Sequence, residues 1–297
     1  MTWRWSWRPT PRLTLMCLLV GALLVSCNTV LLQAPAAQRT PLSASRSPAK
    51  ELPVPPADPS AVPVPPAPWV VGATPLLRRP DGYGVVRSTP QALVDRRLPT
   101  VDRLPPPTST TFQSTVGPVP PAVLARSSWR PECPVKPEQL RYLTMSFRGF
   151  DTRVHTGEML VNATVAQTVV GVFKRLFASG FPIEDMRVTP AATLNLPPTG
   201  DGNNTEGFLC RPARGHTNWS QHAYGLAIDL NPFQNPYVKD DLVVPELASS
   251  YLDRDWVRPG MTRDGDPAVV AFESVGWKWG GRWDGPVDFM HFSPSGH

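Results

Sequence analysis

The sequence predicts an α+β domain: a small, mostly antiparallel sheet with helices flanking one side. Three observations carry this prediction. Leu143-Thr144-Met145-Ser146-Phe147 alternates apolar and polar residues, the period of a half-buried strand. Val165, Val169, Val170, Val172, Phe173, Leu176 and Phe177 recur at helical spacing until Gly180, with Pro182 beyond. Near the end, Leu226 to Leu230 reads as a buried strand and Val287 to Phe292 closes the sheet.

The chain before this domain has a different character. Arg4, Arg8 and Arg12 precede an apolar run from Leu13 to Val25, which closes on Leu24-Val25-Ser26-Cys27. Residues 1–27 therefore read as a lipoprotein-type signal peptide. The closing tetrad resembles a bacterial lipobox, whose cysteine is lipidated, so Cys27 is the expected anchor to the outer face of the cell membrane. An uncleaved span reaching to about Leu32 is the alternative, and it too places the domain outside. More than half of the 38 prolines fall between Cys27 and Pro121. Proline has no backbone donor for helix or sheet, so residues 28–121 read as a disordered, extended spacer. The domain is then 122–297.

Within it, Leu143 to Phe147 is the first strand and Gly157 to Val161 the next. Asn162 is the expected N-cap of the helix that Gly180 ends. Asp185 to Val188 reads as a short strand, and Pro197 to Asn204 as a polar loop leading to Phe208-Leu209-Cys210-Arg211. Val238 to Asp266 reads as a charged loop overhanging a cleft, and Pro267 to Val275 as a short helix.

Charge and cysteines narrow the setting. The formal charge of +5 falls to +2 once the three arginines of the signal are removed, which is no nucleic-acid footprint. Of four cysteines, Cys17 leaves with the signal and Cys27 takes the lipid. Cys133 and Cys210 remain as a possible disulfide, which an oxidising exterior permits. A monomer is expected.

The chemistry concentrates in Ser220-Gln221-His222-Ala223-Tyr224-Gly225-Leu226-Ala227-Ile228-Asp229. An imidazole and a carboxylate are both good ligands for a first-row metal, and a catalytic zinc takes three such groups plus an open position for water. His222 and Asp229 lie seven apart, so on one ideal strand they would face opposite sides; Gly225 permits the turn between them. The third ligand should be another histidine. His291 follows an acid three residues before it, whereas His297 is terminal and His155 lies far upstream. His216 competes from a turn rich in Gly, Thr and Asn.

Ser-x-His-x-x-Gly-x-Ala-x-Asp is followed by Trp277-x-Trp279-Gly280-Gly281-x-Trp283 and then by Asp288-x-x-His291. Over Arg126 to Phe292 this resembles the zinc D-alanyl-D-alanine carboxypeptidases of the VanY type and their relatives, the L-alanyl-D-glutamate peptidases of phage lysins. The resemblance implies zinc on His222, Asp229 and His291 in an edge cleft, with Asp288 as the base. Some relatives carry Glu at that position, so the shorter Asp asks for a closer water. Asp288 as a turn cap that orients His291 is the structural alternative, and Glu273 is a weaker rival for the base. An upstream arginine of the family, which steadies a substrate carboxylate or the developing oxyanion, matches Arg211, with Arg214 near enough to exchange roles. Ser220 either binds substrate or supports the ligand loop. Trp277, Trp279 and Trp283 read as core and pocket wall rather than a sugar platform. The implied function is hydrolysis of peptidoglycan stem peptides, releasing a terminal D-alanine. An endopeptidase and an inactive wall-binding module are the competing readings.

Overall fold

In the computed structural model, residues 69–213 and 216–296 are described, all of them within the compact unit Pro65–His297. The segment 1–27 expected to be a signal peptide, with Cys27, lies outside the described residues. Among the described residues the architecture is α+β, built from nine strands and three α-helices. In chain order these are β1 (Ser114–Gly117), α1 (Pro121–Arg126), β2 (Leu140–Arg148), β3 (Val154–Asn162), α2 (Ala166–Ser179) and β4 (Ile228–Asp229). There follow β5 (Tyr237–Lys239), β6 (Leu242–Val244), α3 (Pro267–Glu273), β7 (Lys278–Trp279), β8 (Val287–Asp288) and β9 (His291–Ser293). No described helix is long and apolar enough to cross a membrane.

The strands form three antiparallel sheets of three strands, ordered β1-β2-β3, β4-β9-β7 and β6-β5-β8, where the sequence suggested one sheet. The segment 287–292 divides because its two halves pair with different partners: Val287 and Asp288 with β5, His291 onward with β4 and β7. Asp185–Val188 forms no strand; Asp185 makes a single parallel bridge to Asn204. The stretch 238–266 is no overhanging loop, since it supplies β6 and the buried Leu247, Tyr251 and Met261.

The helices hold the main core. Val169, Val172, Phe173, Leu176 and Phe177 of α2 are buried at the i, i+3, i+4 spacing that puts them on one face. They pack with Met145 and Met159 of the first sheet and with Ile228 and Phe292 of the second. Gly180 ends α2 at φ 75°, its N–H reaching the carbonyls of Leu176 and Phe177. The N-cap of α2 is Val165 rather than Asn162. Asn162 instead accepts the Thr164 N–H at 3.0 Å and donates to the Tyr224 carbonyl at 2.9 Å, which ties it to the loop of His222. Asp266 caps α3 by accepting from the N–H groups of Ala268 and Val269, with Pro267 pre-set in the first turn.

The spacer expected over 28–121 does not extend that far. Residues from Trp69 onward wrap the domain as an irregular strap before entering β1. Leu76 and Leu93 pack with Phe233, Val243, Leu247 and Tyr251 in a second core. Arg96 is fully buried; its Nε lies 2.7 Å from Glu184 Oε2, its Nη2 2.5 Å from Oε1, and its Nη1 2.8 Å from the Asp201 carbonyl. Such a segment needs little regular secondary structure, because side chains and tertiary contacts satisfy its backbone. Thr89 N–H, for example, donates to Ser249 Oγ at 3.1 Å, and Arg87 N–H to the Glu246 carbonyl at 3.1 Å.

Candidate metal centre

The site begins at a turn. Ser220 Oγ accepts the His222 N–H at 3.3 Å and so caps the 3-10 turn Gln221–Tyr224. Ser220 thus supports the ligand loop. Gly225 closes the turn at φ 66°, and a Cβ there would stand 2.5 Å from the Asn162 nitrogen. Both the left-handed backbone and the close approach require glycine. The Asn162 N–H donates to the Gly225 carbonyl at 2.8 Å, fixing the turn to the end of β3.

From Gly225 the chain runs into β4, where Asp229 stands directly opposite His291 of β9. Side chains directly opposite one another across a ladder share a face, so the register alone brings this carboxylate and imidazole together. Asp229 Oδ1 lies 3.3 Å from His291 Nδ1 and 3.2 Å from His222 Nε2. The three donor atoms fall within 4.8 Å of one another, all on buried residues. Among the described residues no other group of three His, Cys, Asp or Glu side chains could hold a metal ion.

These residues fit a metal. With bonds of ~2.0–2.1 Å, neighbouring donors in a tetrahedral zinc site lie about 3.3 Å apart, close to the two separations found here. His222 Nδ1 donates to the Gly207 carbonyl at 2.6 Å, which fixes the tautomer and leaves Nε2 with its lone pair toward Asp229. His291 turns Nδ1 toward Asp229, which leaves Nε2 on the far side of the ring, buried and with no hydrogen-bond partner among the described residues. Electrostatics agree. Burial alone would favour a neutral His222, but the neighbouring Asp229 carboxylate outweighs it and raises the imidazole pKa. Burial likewise opposes ionisation of Asp229, yet His222 and then His291 hold its pKa far below the carboxylate range. The pocket therefore favours an anionic oxygen beside positive charge.

Asp288 lies on β8 opposite Tyr237, half-buried and three residues before His291. It is not one of the three donors. Gly280 leaves room for it, since a Cβ at 280 would come within 2.6 Å of the Asp288 carbonyl oxygen. Trp283 packs against His291 with ring centroids 5.3 Å apart, while Trp277 and Trp279 are buried in the main core. Arg211 is half-buried in the loop before the turn, its carbonyl accepting the Ser220 N–H at 3.3 Å and its Nη1 donating to the Pro212 carbonyl at 3.2 Å. Its charge is close enough to oppose, without reversing, the raised pKa values of His222 and Glu206. Arg214 lies outside the described residues, as does His297. His216 is exposed and apart from the cluster, and Glu273 pairs with Arg282. His155 is buried between Asp102 and Asp151, with one ring nitrogen on each carboxylate. Cys133 and Cys210 are joined by a disulfide.

One residue of the site carries no sequence signal. Glu206 forms an antiparallel bridge with Asp229 on the side of β4 away from β9, so Glu206, Asp229 and His291 stand in a row on one face. Its Oε2 accepts from Thr189 Oγ1 and, at 3.1 Å, from Asn204 Nδ2. Burial, and then the Asp229 charge, raise its pKa against the opposing bond from Thr189.

Residues 214–294 match the family model of the D-alanyl-D-alanine carboxypeptidases. The matched segment holds His222, Asp229, Asp288 and His291, and the match supports the resemblance read from the motifs. No curated protein and no solved structure matches the chain.

Proposed function

We propose that the protein is a zinc peptidase acting on peptidoglycan stem peptides, with release of a terminal D-alanine as its main reaction. The observation that carries this reading is the buried group of His222, Asp229 and His291 inside the segment matched by the carboxypeptidase family. Zinc held there would polarise the scissile carbonyl and bring the pKa of water down to about 7. Asp288 takes the water's proton and passes it to the leaving amine. Arg211 meets the substrate's terminal carboxylate, an anion that is costly to desolvate without a cation beside it. The setting that suits this work is the outer face of the cell membrane, reached through the signal peptide and held by a lipid on Cys27.

The test compares two substrates. Purified, zinc-loaded protein should release single D-alanine from a pentapeptide stem and be nearly inert on the same peptide amidated at its C-terminus. A chelator should abolish the release. Equal cleavage of acid and amide, or a cut between the first two stem residues, would make the protein an endopeptidase. No cleavage of either would leave a wall-binding module.

A further inference from the structure

Behind Trp283 lies a cavity of about 360 Å³ that the chemistry above does not use. Its apolar wall is Trp279 and Trp283, and Trp283 also packs on His291, so an occupant would sit one side chain away from a metal donor. Its polar lining divides into two kinds. Arg282 and Glu273 are spent on each other, and Arg282 pairs with Asp264 as well. Lys278 and Asp284 also line the cavity and are exposed, but their side chains pair neither with one another nor with any other described residue. The Lys278 stem runs close over Gly296, where an added Cβ would lie 2.6 Å from its Cδ. The cavity thus offers one cation, one anion and an indole wall, in a volume suited to an amino-acid-sized group.

We infer that this cavity is a subsite for a substrate side chain that ends in a free α-amino-acid head, bearing both an ammonium and a carboxylate. Lys278 receives the carboxylate, Asp284 the ammonium, and the indoles cover the methylenes between head and peptide. Stem peptides whose third residue is a diamino dicarboxylic acid carry such a head; those with lysine there carry the ammonium alone. The inference rests on the peptidase reading above, and it makes Lys278 the residue that separates the two kinds of stem.

Two measurements test it. The first is D-alanine release by the full zinc-loaded protein from two pentapeptides that differ only in having diaminopimelate or lysine as third residue. The wild type should favour the diaminopimelate peptide at least tenfold in kcat/KM. Lys278→Met should close that gap, and the surface control Lys174→Met should leave it open. Equal rates in the wild type, or an unchanged preference in Lys278→Met, would overturn the subsite. The second needs no turnover: NMR of the tryptophan indole N–H signals during titration with free diaminopimelate and with free lysine. Diaminopimelate should shift the Trp279 and Trp283 signals in the wild type and not in Lys278→Met. Failure to cleave either peptide would sink the peptidase reading alone, whereas unmoved indole signals would sink the subsite whether or not the protein is a peptidase.

Discussion

Glu206 and Asp229 bind each other twice through the backbone, the Glu206 N–H donating to the Asp229 carbonyl at 3.0 Å and the Asp229 N–H returning to Glu206 at 2.9 Å. The bridge fixes the height of Asp229 on its strand and sets a second carboxyl beside the first. A bound cation would draw Glu206 into its ionised form against the burial and the Asp229 charge that raise its pKa, and the carboxylate so formed would offset the cation's charge. Glu206→Gln should preserve the bridge and remove that charge, raising the dissociation constant for zinc about tenfold, the lower end of what groups around metal ligands contribute. Competition with a chromophoric chelator measures it; unchanged affinity would make Glu206 a spectator of the site.

Asp288 separates binding from turnover. Asp288→Asn keeps the side chain's shape and removes its basicity, so zinc content should hold while kcat falls by ~10²–10⁴, the range for general acid–base groups. Loss of zinc along with activity would instead assign Asp288 to the support of His291.

The Arg96–Glu184 pair should matter to stability out of proportion to its size. Arg96 is wholly buried and Glu184 nearly so, and Asn203 also donates to Glu184 at 2.8 Å. Removing one partner of a buried pair strands the other charge, at a cost of about 3–5 kcal/mol. Urea unfolding of Arg96→Ala should show a loss of that size. A change below 1 kcal/mol would mean that the strap adds little to the fold.

A second ion pair predicts acid sensitivity. Glu158 is buried and receives Arg126 on both carboxylate oxygens and the Tyr142 hydroxyl at 2.6 Å. Burial would raise its pKa, but the bonds from Arg126 and then Tyr142 outweigh this and lower it. A carboxyl with a folded pKa below its unfolded value of about 4.3 stabilises the fold fully above that value. The stabilisation is lost as pH falls through the lower folded pKa. Glu158→Gln should therefore cost about 1.5–3 kcal/mol at pH 7 and much less at pH 3. Unfolding free energies of both proteins at the two pH values give the comparison, and a pH-independent difference would refute it.

The local elements were legible where a single segment contains its own cause. The alternation at Leu143–Phe147, the helical apolar spacing up to Gly180 and the 267–275 helix all became elements of the expected kind, and His222, Asp229 and His291 do meet in space. What escaped depends on partners remote in sequence. Arg96 and Glu184 are 88 residues apart, and Leu93 finds its neighbours beyond Phe233, so a proline-rich stretch looked like free spacer although its side chains complete a core. Glu206 was invisible because its role follows from its register against Asp229, which no local pattern encodes. The division of one expected sheet into three follows from strands of two or three residues, too short for periodicity to tell which neighbour each will choose.

The bond from His222 Nδ1 to the Gly207 carbonyl has a further meaning when set beside the segment that the family match covers. Residues 214–294 contain all three candidate metal donors, yet Gly207 aims His222, Glu206 holds the height of Asp229, and Asn162 closes the turn, all from outside that segment. Moved into another scaffold, the segment would bring its donors without the groups that aim them. The candidate donors and the groups that aim them are written in different parts of this chain.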